Sequence, residues 1–136
     1  MIAGLGLDVV DVAAFTALLN EPGTVFAERT FTPGERRAAA ARAAAGSLRP
    51  EMHLAARYAA KEAAIKALSQ ALAPAPLPKA LADLREIEVV TDADGRPSLV
   101  LTGRVQALAA QGGVRALHVS LSHEAGLATA MVVAER

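Results

Sequence analysis

The segment from Arg57 to Leu68 sets the terms for the rest of the chain. Ala, Leu, Lys, Glu and Arg fill nearly every position of it, the composition of a long helix. Wound at roughly 100° per residue, Leu54, Tyr58, Ile65, Leu68 and Leu72 fall within about 80° of one another and form a core-facing stripe. Lys61 lies inside that stripe, roughly 20° from Leu54, where an amphipathic helix normally carries another aliphatic side chain. Glu62 and Arg57 sit on its two margins, and Lys66 follows Glu62 one turn later. Two accounts of these charges stand open. Lys61 snorkels to water and Glu62–Lys66 is a surface pair worth a few tenths of a kcal/mol, or this edge of the helix carries function.

The remainder of the chain has to supply a core for that helix. At 136 residues it is sized for a single domain, residues 1–136. With one Tyr, three Phe and no Trp, the core falls to Ala, Val, Leu and Ile. Alanine buries little area per residue, so burial between subunits is a natural supplement. The formal net charge of zero gives no overall field that would draw nucleic acid or an anionic membrane. The absence of cysteine excludes disulfides and thiolate metal sites. The N-terminus lacks a basic region and meets Asp8 early, which argues against a signal peptide. No run reaches the roughly 18 apolar residues of a membrane span, so a soluble, cytoplasmic protein is expected.

Residues 2–10 read as a strand in which Leu5, Leu7 and Val9 share one face and Gly4, Gly6 and Asp8 the other. Glycines within a strand mark a close backbone approach or a bulge, and here they leave open space on the side of Asp8. Asp11 caps a short helix bearing Val12, Phe15, Leu18 and Leu19. Asp8, a mid-strand carboxylate among apolar neighbours, caps nothing. Thr32-Pro33-Gly34-Glu35 is a capping box that starts a helix running to about Ala45. Its Arg36, Arg37 and Arg42 make either a solvated face or a patch for an acidic partner. A loop from Gly46 precedes Pro50 and the central helix, and Ala73 to Pro78 make a stiff extended connection. Residues 87–91 and 97–101 form a hairpin around Asp92-Ala93-Asp94-Gly95. Thr102 caps a helix to about Gln111, closed by Gly112-Gly113. Strands follow at residues 117–122 and 127–134, with His123-Glu124-Ala125-Gly126 between them. The pattern is α+β: an antiparallel sheet packed against a long central helix and shorter helices.

Asp8 and Glu62 are oxygen ligands suited to a hard cation such as Mg²⁺, which takes one or two carboxylates plus water and substrate phosphate. Lys61, Lys66, Arg57 and a histidine from elsewhere would then contact phosphate, a combination that fits transfer of a phosphoryl-type group. There is no Walker loop, no dinucleotide glycine fingerprint and no zinc spacing. A triad from Ser120 or Ser122, His123 and Glu124 is weak, because neighbours on one strand point to opposite faces. His118 reads as a polar residue on a strand.

The motifs Gly6-Leu7-Asp8-Val9-Val10, Arg57-Tyr58-Ala59-Ala60-Lys61-Glu62-Ala63-Ala64-Ile65-Lys66-Ala67 and Val119-Ser120-Leu121-Ser122-His123-Glu124 resemble those of the holo-[acyl-carrier-protein] synthases. These are the small, single-domain 4′-phosphopantetheinyl transferases. Order and separation match along nearly the whole chain, including Thr32-Pro33-Gly34-Glu35 and Asp94-Gly95-Arg96-Pro97. The resemblance implies transfer of 4′-phosphopantetheine from coenzyme A to a serine of an acyl carrier protein, with release of adenosine 3′,5′-bisphosphate, in support of fatty acid biosynthesis. It implies Asp8 and Glu62 as Mg²⁺ ligands, Glu62 and Lys66 as catalytic residues, and Lys61 and Lys66 as phosphate contacts. Arg57 and His123 match positions near the coenzyme A phosphates, and Gly95, Arg96 and Pro97 match the loop beside the adenine. It further implies a homotrimer with coenzyme A between subunits, and leaves the base open between Glu62 and a water of the metal. Two departures stand out. Ala14 replaces an arginine that in many relatives engages the acidic helix of the carrier, and Ser69-Gln70-Ala71 replaces a Gly-Thr-Gly. A non-catalytic coenzyme A or nucleotide-binding module of the same fold is the alternative.

Overall fold

Gly4 and Gly6 decide how the first strand meets the central helix. A computed structural model describes residues 1–46, 48–78 and 83–136; Ser47, within the expected loop before Pro50, lies outside the described residues. The chain runs β1 (Ile2–Asp11), α1 (Val12–Leu19), α2 (Phe26–Thr30), α3 (Pro33–Ala45), α4 (Pro50–Leu72), β2 (Ile87–Thr91), β3 (Pro97–Leu101), α5 (Gly103–Gln111), β4 (Ala116–Glu124) and β5 (Leu127–Glu135). A Cβ on Gly4 would stand 2.0 Å from the Ala67 carbonyl oxygen, and one on Gly6 1.8 Å from that of Ala63. Only glycine fits at such distances, so the backbones of β1 and α4 lie almost in contact. The open space expected beside Asp8 is therefore filled by the helix itself along this seam.

The same logic extends across the sheet. Strand order is β1-β5-β4, all antiparallel. The face of β5 turned to α4 carries Ala128, Ala130, Val132 and Ala134, all buried. On α4, Ala55, Ala59, Ala60, Ala63, Ala64 and Ala67 are fully buried. Leu68 and Leu72 of the expected stripe are buried too, but Leu54, Tyr58 and Ile65 are only partly so and flank the contact. The helix thus packs by its small residues, because a thin side-chain layer lets it sit low on the sheet. The opposite sheet face leaves Leu5, Leu7, Val9 and Met131 exposed, Leu7 by 54%.

Antiparallel pairing holds throughout, but the expected single sheet divides in two, with β2 and β3 forming a separate hairpin. The strand before the last turn also runs further than its alternation suggests. It continues through His123 to Glu124 and turns on Ala125 and Gly126. Helix α2 and a 3₁₀ turn at Leu84–Glu86 have no counterpart in the sequence pattern; segments this short carry no periodicity. Phe15, Phe26, Phe31 and Tyr58 gather where α1, α2 and α4 meet, with the Phe15 and Tyr58 rings stacked at 5.5 Å. All the aromatic side chains of the chain are in this cluster.

The capping box forms as expected, with Glu35 N donating to Thr32 Oγ1 and Thr32 N to Glu35 Oε1. Thr102 makes no side-chain cap. Glu86 replaces it by accepting from the backbone N–H of Arg104 at 2.6 Å. Helix α4 runs unbroken through Ser69-Gln70-Ala71. Gln70 Oε1 accepts the backbone N–H of Leu5 at 2.8 Å, on the edge strand of the sheet. No described helix is long and apolar enough to cross a membrane.

Candidate active site

Strand β1 and helix α4, held together by the glycine–alanine seam, deliver Asp8 and Glu62 to one cleft. It measures about 350 Å³ and is lined by Asp8 and Glu62 together with Val9, Asp11, Ala14, Leu18 and Tyr58, Asp11 being engaged in capping α1 through the Ala14 N–H. Asp8 pairs across the sheet with Ala130, so no large neighbour covers it. Lys66 Nζ donates to Asp8 Oδ1 at 3.1 Å and to the Leu7 carbonyl at 2.8 Å. Burial, and then the Asp8 charge, push the Glu62 carboxyl above its usual pKa; the Tyr58 hydroxyl and Lys66 pull it back. Tyr58 is itself raised, by burial and by the Glu62 charge. Two partly buried carboxylates in one cleft, with Lys66 bonded to Asp8 alone of the two, leave negative charge that their surroundings do not balance. No described group of three or more His, Cys, Asp or Glu residues makes an all-protein metal cage. A pair of hard oxygen donors beside open cleft is the arrangement that suits Mg²⁺, whose remaining positions go to water and substrate phosphate.

Lys61 belongs elsewhere, and its assignment as a phosphate contact is corrected by the structure. Its side chain is 0% exposed. Nζ donates to Glu35 Oε1 at 2.7 Å and to the Leu84 and Ile87 carbonyls, each at 2.8 Å. Three acceptors consume the three donors of an ammonium, leaving none for a ligand. Burial pulls the Lys61 pKa down and Glu35 pulls it up. Glu35 Oε2 accepts the Val89 N–H at 2.9 Å, so the pair ties α3 and α4 to the β2–β3 hairpin. Snorkelling does not account for Lys61 either; it lies in the core of its own chain.

A second cluster forms on another side of α4. Arg57 is 4% exposed, and Nη1 donates to the His53 carbonyl at 3.1 Å while Nε and Nη2 have no partner among the described residues. Burial pushes the guanidinium pKa down, with Arg42 acting the same way and Glu35 opposing. Arg42 and His53 line a pocket of about 460 Å³ with Ala45, Gly46 and Leu48. Burial, then the charges of Arg57, Arg42 and His123, hold the His53 imidazole below its usual pKa. The hairpin turn abuts this pocket, since a Cβ on Gly95 would lie 2.9 Å from Arg42 Nη2. Arg96 is turned back on Asp92 and Asp94, and Pro97 opens β3. The candidate residues thus divide into a carboxylate cleft with Asp8, Glu62 and Lys66, and a cationic pocket lined by Arg42 and His53, with Arg57 buried beside His53, Gly95 against Arg42 and His123 nearby.

The family model described as the 4′-phosphopantetheinyl transferase superfamily matches residues 4–130. The chain belongs to that superfamily. This transferase is 47% identical over 137 residues to a holo-[acyl-carrier-protein] synthase of Mycobacterium sp. strain KMS, covering 98% of this chain and 97% of the relative. Among solved structures, a Chronobacterium ammoniagenes synthase in complex with coenzyme A superposes with a TM-score of 0.85 at 41% identity, covering 96% of this chain and 95% of that one. The Mycobacterium tuberculosis acyl carrier protein synthase gives a TM-score of 0.72 at 40% identity, covering 99% and 98%.

Three residues of the transferase have roles that sequence reasoning missed. Glu35 reads locally as a capping residue, yet it is also the partner that a lysine in an apolar stripe demands. Arg42 reads as part of a solvated face. His53 carries a weak signal only, its place one turn before Arg57 on the same helix. Ala14, at the position of the missing arginine, lines the carboxylate cleft.

Proposed function

We propose that this chain is a holo-[acyl-carrier-protein] synthase. It transfers 4′-phosphopantetheine from coenzyme A to a serine of an apo acyl carrier protein or carrier domain and releases adenosine 3′,5′-bisphosphate. In a member of this superfamily, the observation that carries the reading is the meeting of Asp8 and Glu62 in one cleft with Lys66 beside them. The seryl oxygen forms a bond to the β-phosphorus of coenzyme A, and the bond from that phosphorus to the bridging pyrophosphate oxygen breaks. Glu62, whose burial strengthens its hold on a proton, is the acceptor this chain offers for the hydroxyl proton. Lys66 supplies positive charge at the phosphate oxygens. Asp8 and Glu62 would hold Mg²⁺, which supplies charge neutralisation of the pyrophosphate. Arg57, with two free donors, Gly95 at the rim of its pocket and nearby His123 would hold the nucleotide end, with Arg96 and Pro97 beside the adenine.

The two clusters divide the work between subunits: we place coenzyme A between the carboxylate cleft of one copy and the cationic pocket of its neighbour, in a homotrimer. The exposed Leu5, Leu7, Val9 and Met131 face supports such an assembly. The single domain acts in the cytoplasm, in fatty acid biosynthesis, with no nucleic acid or membrane partner. Incubation with apo carrier protein, coenzyme A and Mg²⁺ should add the mass of one phosphopantetheine to the carrier. Coenzyme A binding with no mass gain at any Mg²⁺ concentration would leave a non-catalytic binding module.

A further inference from the structure

The cationic pocket holds more positive character than its own chain balances. Among the described residues, Arg57 is buried with Nε and Nη2 unpartnered and no carboxylate hydrogen-bonded to it, an arrangement that costs free energy unless an anion completes it. Beside it stand Arg42 from α3 and His53, one turn earlier on α4, which line the pocket while Arg57 lies buried against the His53 carbonyl. The charged and titratable groups that act on His53 are cationic or titratable to a cation: Arg57 on its own helix, Arg42 on α3 and His123 on β4. Glu35 acts on Arg57 from α3, but its oxygens are taken by Lys61, Val89 N and Thr32 N. We propose that His53 is a specificity-determining residue of this pocket: it takes up a proton when a phosphate monoester enters beside Arg42 and Arg57. The pocket then distinguishes coenzyme A from its 3′-dephospho form most strongly at low pH. This rests on the function proposed above.

The sign follows from the surroundings. Without ligand, burial and then the neighbouring cations keep the imidazole below its ordinary pKa of 6.5, hence neutral at neutral pH. A phosphate dianion reverses the local field and favours the imidazolium. The gain in affinity is full below the ligand-free pKa and is lost as pH rises through the ligand-bound value. Each unit between the two values makes about a tenfold difference in binding. The ligand's own second ionisation, near pH ~6, contributes equally in wild type and variant, so their difference isolates His53.

The test is calorimetric titration of the full chain with coenzyme A and with 3′-dephospho-coenzyme A between about pH 6 and pH 8. Buffers of different ionisation heat count the protons taken up. Wild type should take up more protons than His53→Gln on binding coenzyme A, and its preference for the 3′-phosphate should weaken by about 5- to 10-fold across that range. The His53→Gln preference should stay nearly flat by comparison. His53→Lys, permanently charged, should keep the preference at high pH without the extra uptake. Equal proton counts and equal preferences in wild type and His53→Gln, with coenzyme A bound by both, overturn this inference alone, as does a His53→Lys that behaves like His53→Gln. Failure of wild type to bind coenzyme A at any pH overturns the proposed function and this inference together.

Discussion

Replacing Gly6 by alanine should cost activity out of proportion to the single methyl group it adds. The new Cβ would lie 1.8 Å from the Ala63 carbonyl oxygen and 2.7 Å from its carbon, both main-chain atoms that no rotamer change can move. Ordinary contact begins at 3.4 Å, so 3.4 Å less the available 1.8 Å leaves about 1.6 Å by which β1 must retreat from α4. Overpacking of this kind costs about 1–3 kcal/mol. Asp8 lies two residues further along the displaced strand, and its separation from Glu62 would widen by a similar amount. A misplacement of about 1 Å at a reacting centre costs on the order of 100-fold in rate. Urea denaturation of Gly6→Ala should therefore show a folded protein with a lowered midpoint. Single-turnover transfer from coenzyme A, measured where that protein is fully folded, should be slowed by about 100-fold. A variant within about 0.5 kcal/mol of wild type and turning over at the wild-type rate would refute the argument that backbone contact sets the carboxylate spacing.

Other expectations follow from the two clusters and the core. Lys61→Met strands Glu35 in the interior and should destabilise by about 3–5 kcal/mol in urea denaturation, with much of the loss recovered when Glu35→Gln is added; strict additivity of the two changes would count against the pair. Glu62→Gln should abolish transfer yet raise the melting temperature of the metal-free protein by a few degrees at pH 8. The sign follows from the raised carboxyl of Glu62, which costs the fold most when ionised, so the gain should disappear as pH falls below the ordinary 4.5. Leu7→Arg, on the exposed sheet face, should leave the protein monomeric by analytical ultracentrifugation and inactive in transfer; a monomer that retains full activity would remove the need for a neighbouring subunit. Arg57→Lys should weaken coenzyme A binding at least about tenfold, because an ammonium cannot reproduce the two free guanidinium donors.

What the chain discloses unaided depends on how far each feature reaches along it. The Thr32–Glu35 box and the Asp92–Gly95 turn are legible because their hydrogen bonds close within a few residues. The meeting of Asp8 with Glu62 is not readable from spacing; the glycines hint at a close approach without naming what approaches. Lys61 is less legible still. A helical projection says which side chains share a face, but not which chain returns to cover it. Here the cover is Glu35 and the carbonyls of Leu84 and Ile87, each more than a turn away in any local reading. The orientation of α4 is hidden for a related reason. Hydrophobic bulk is a guide to burial where side chains interdigitate, and this helix is seated by the absence of bulk. His53 went unremarked because a lone histidine on a helix gains meaning only from the arginines folded against it.

Consecutive residues of α4 serve the interior and the cleft. Lys61 is anchored in the interior by three hydrogen bonds, and Glu62 faces the cleft. With the alanine face pressed on glycine, the helix is fixed in rotation by one side and in height by the other. The carboxylate pair therefore inherits its geometry from main-chain atoms, which sequence drift cannot resize. Surface side chains and loops can change without reaching this seam, while the distance between the two carboxylates is held like the jaws of a fixed-gap gauge.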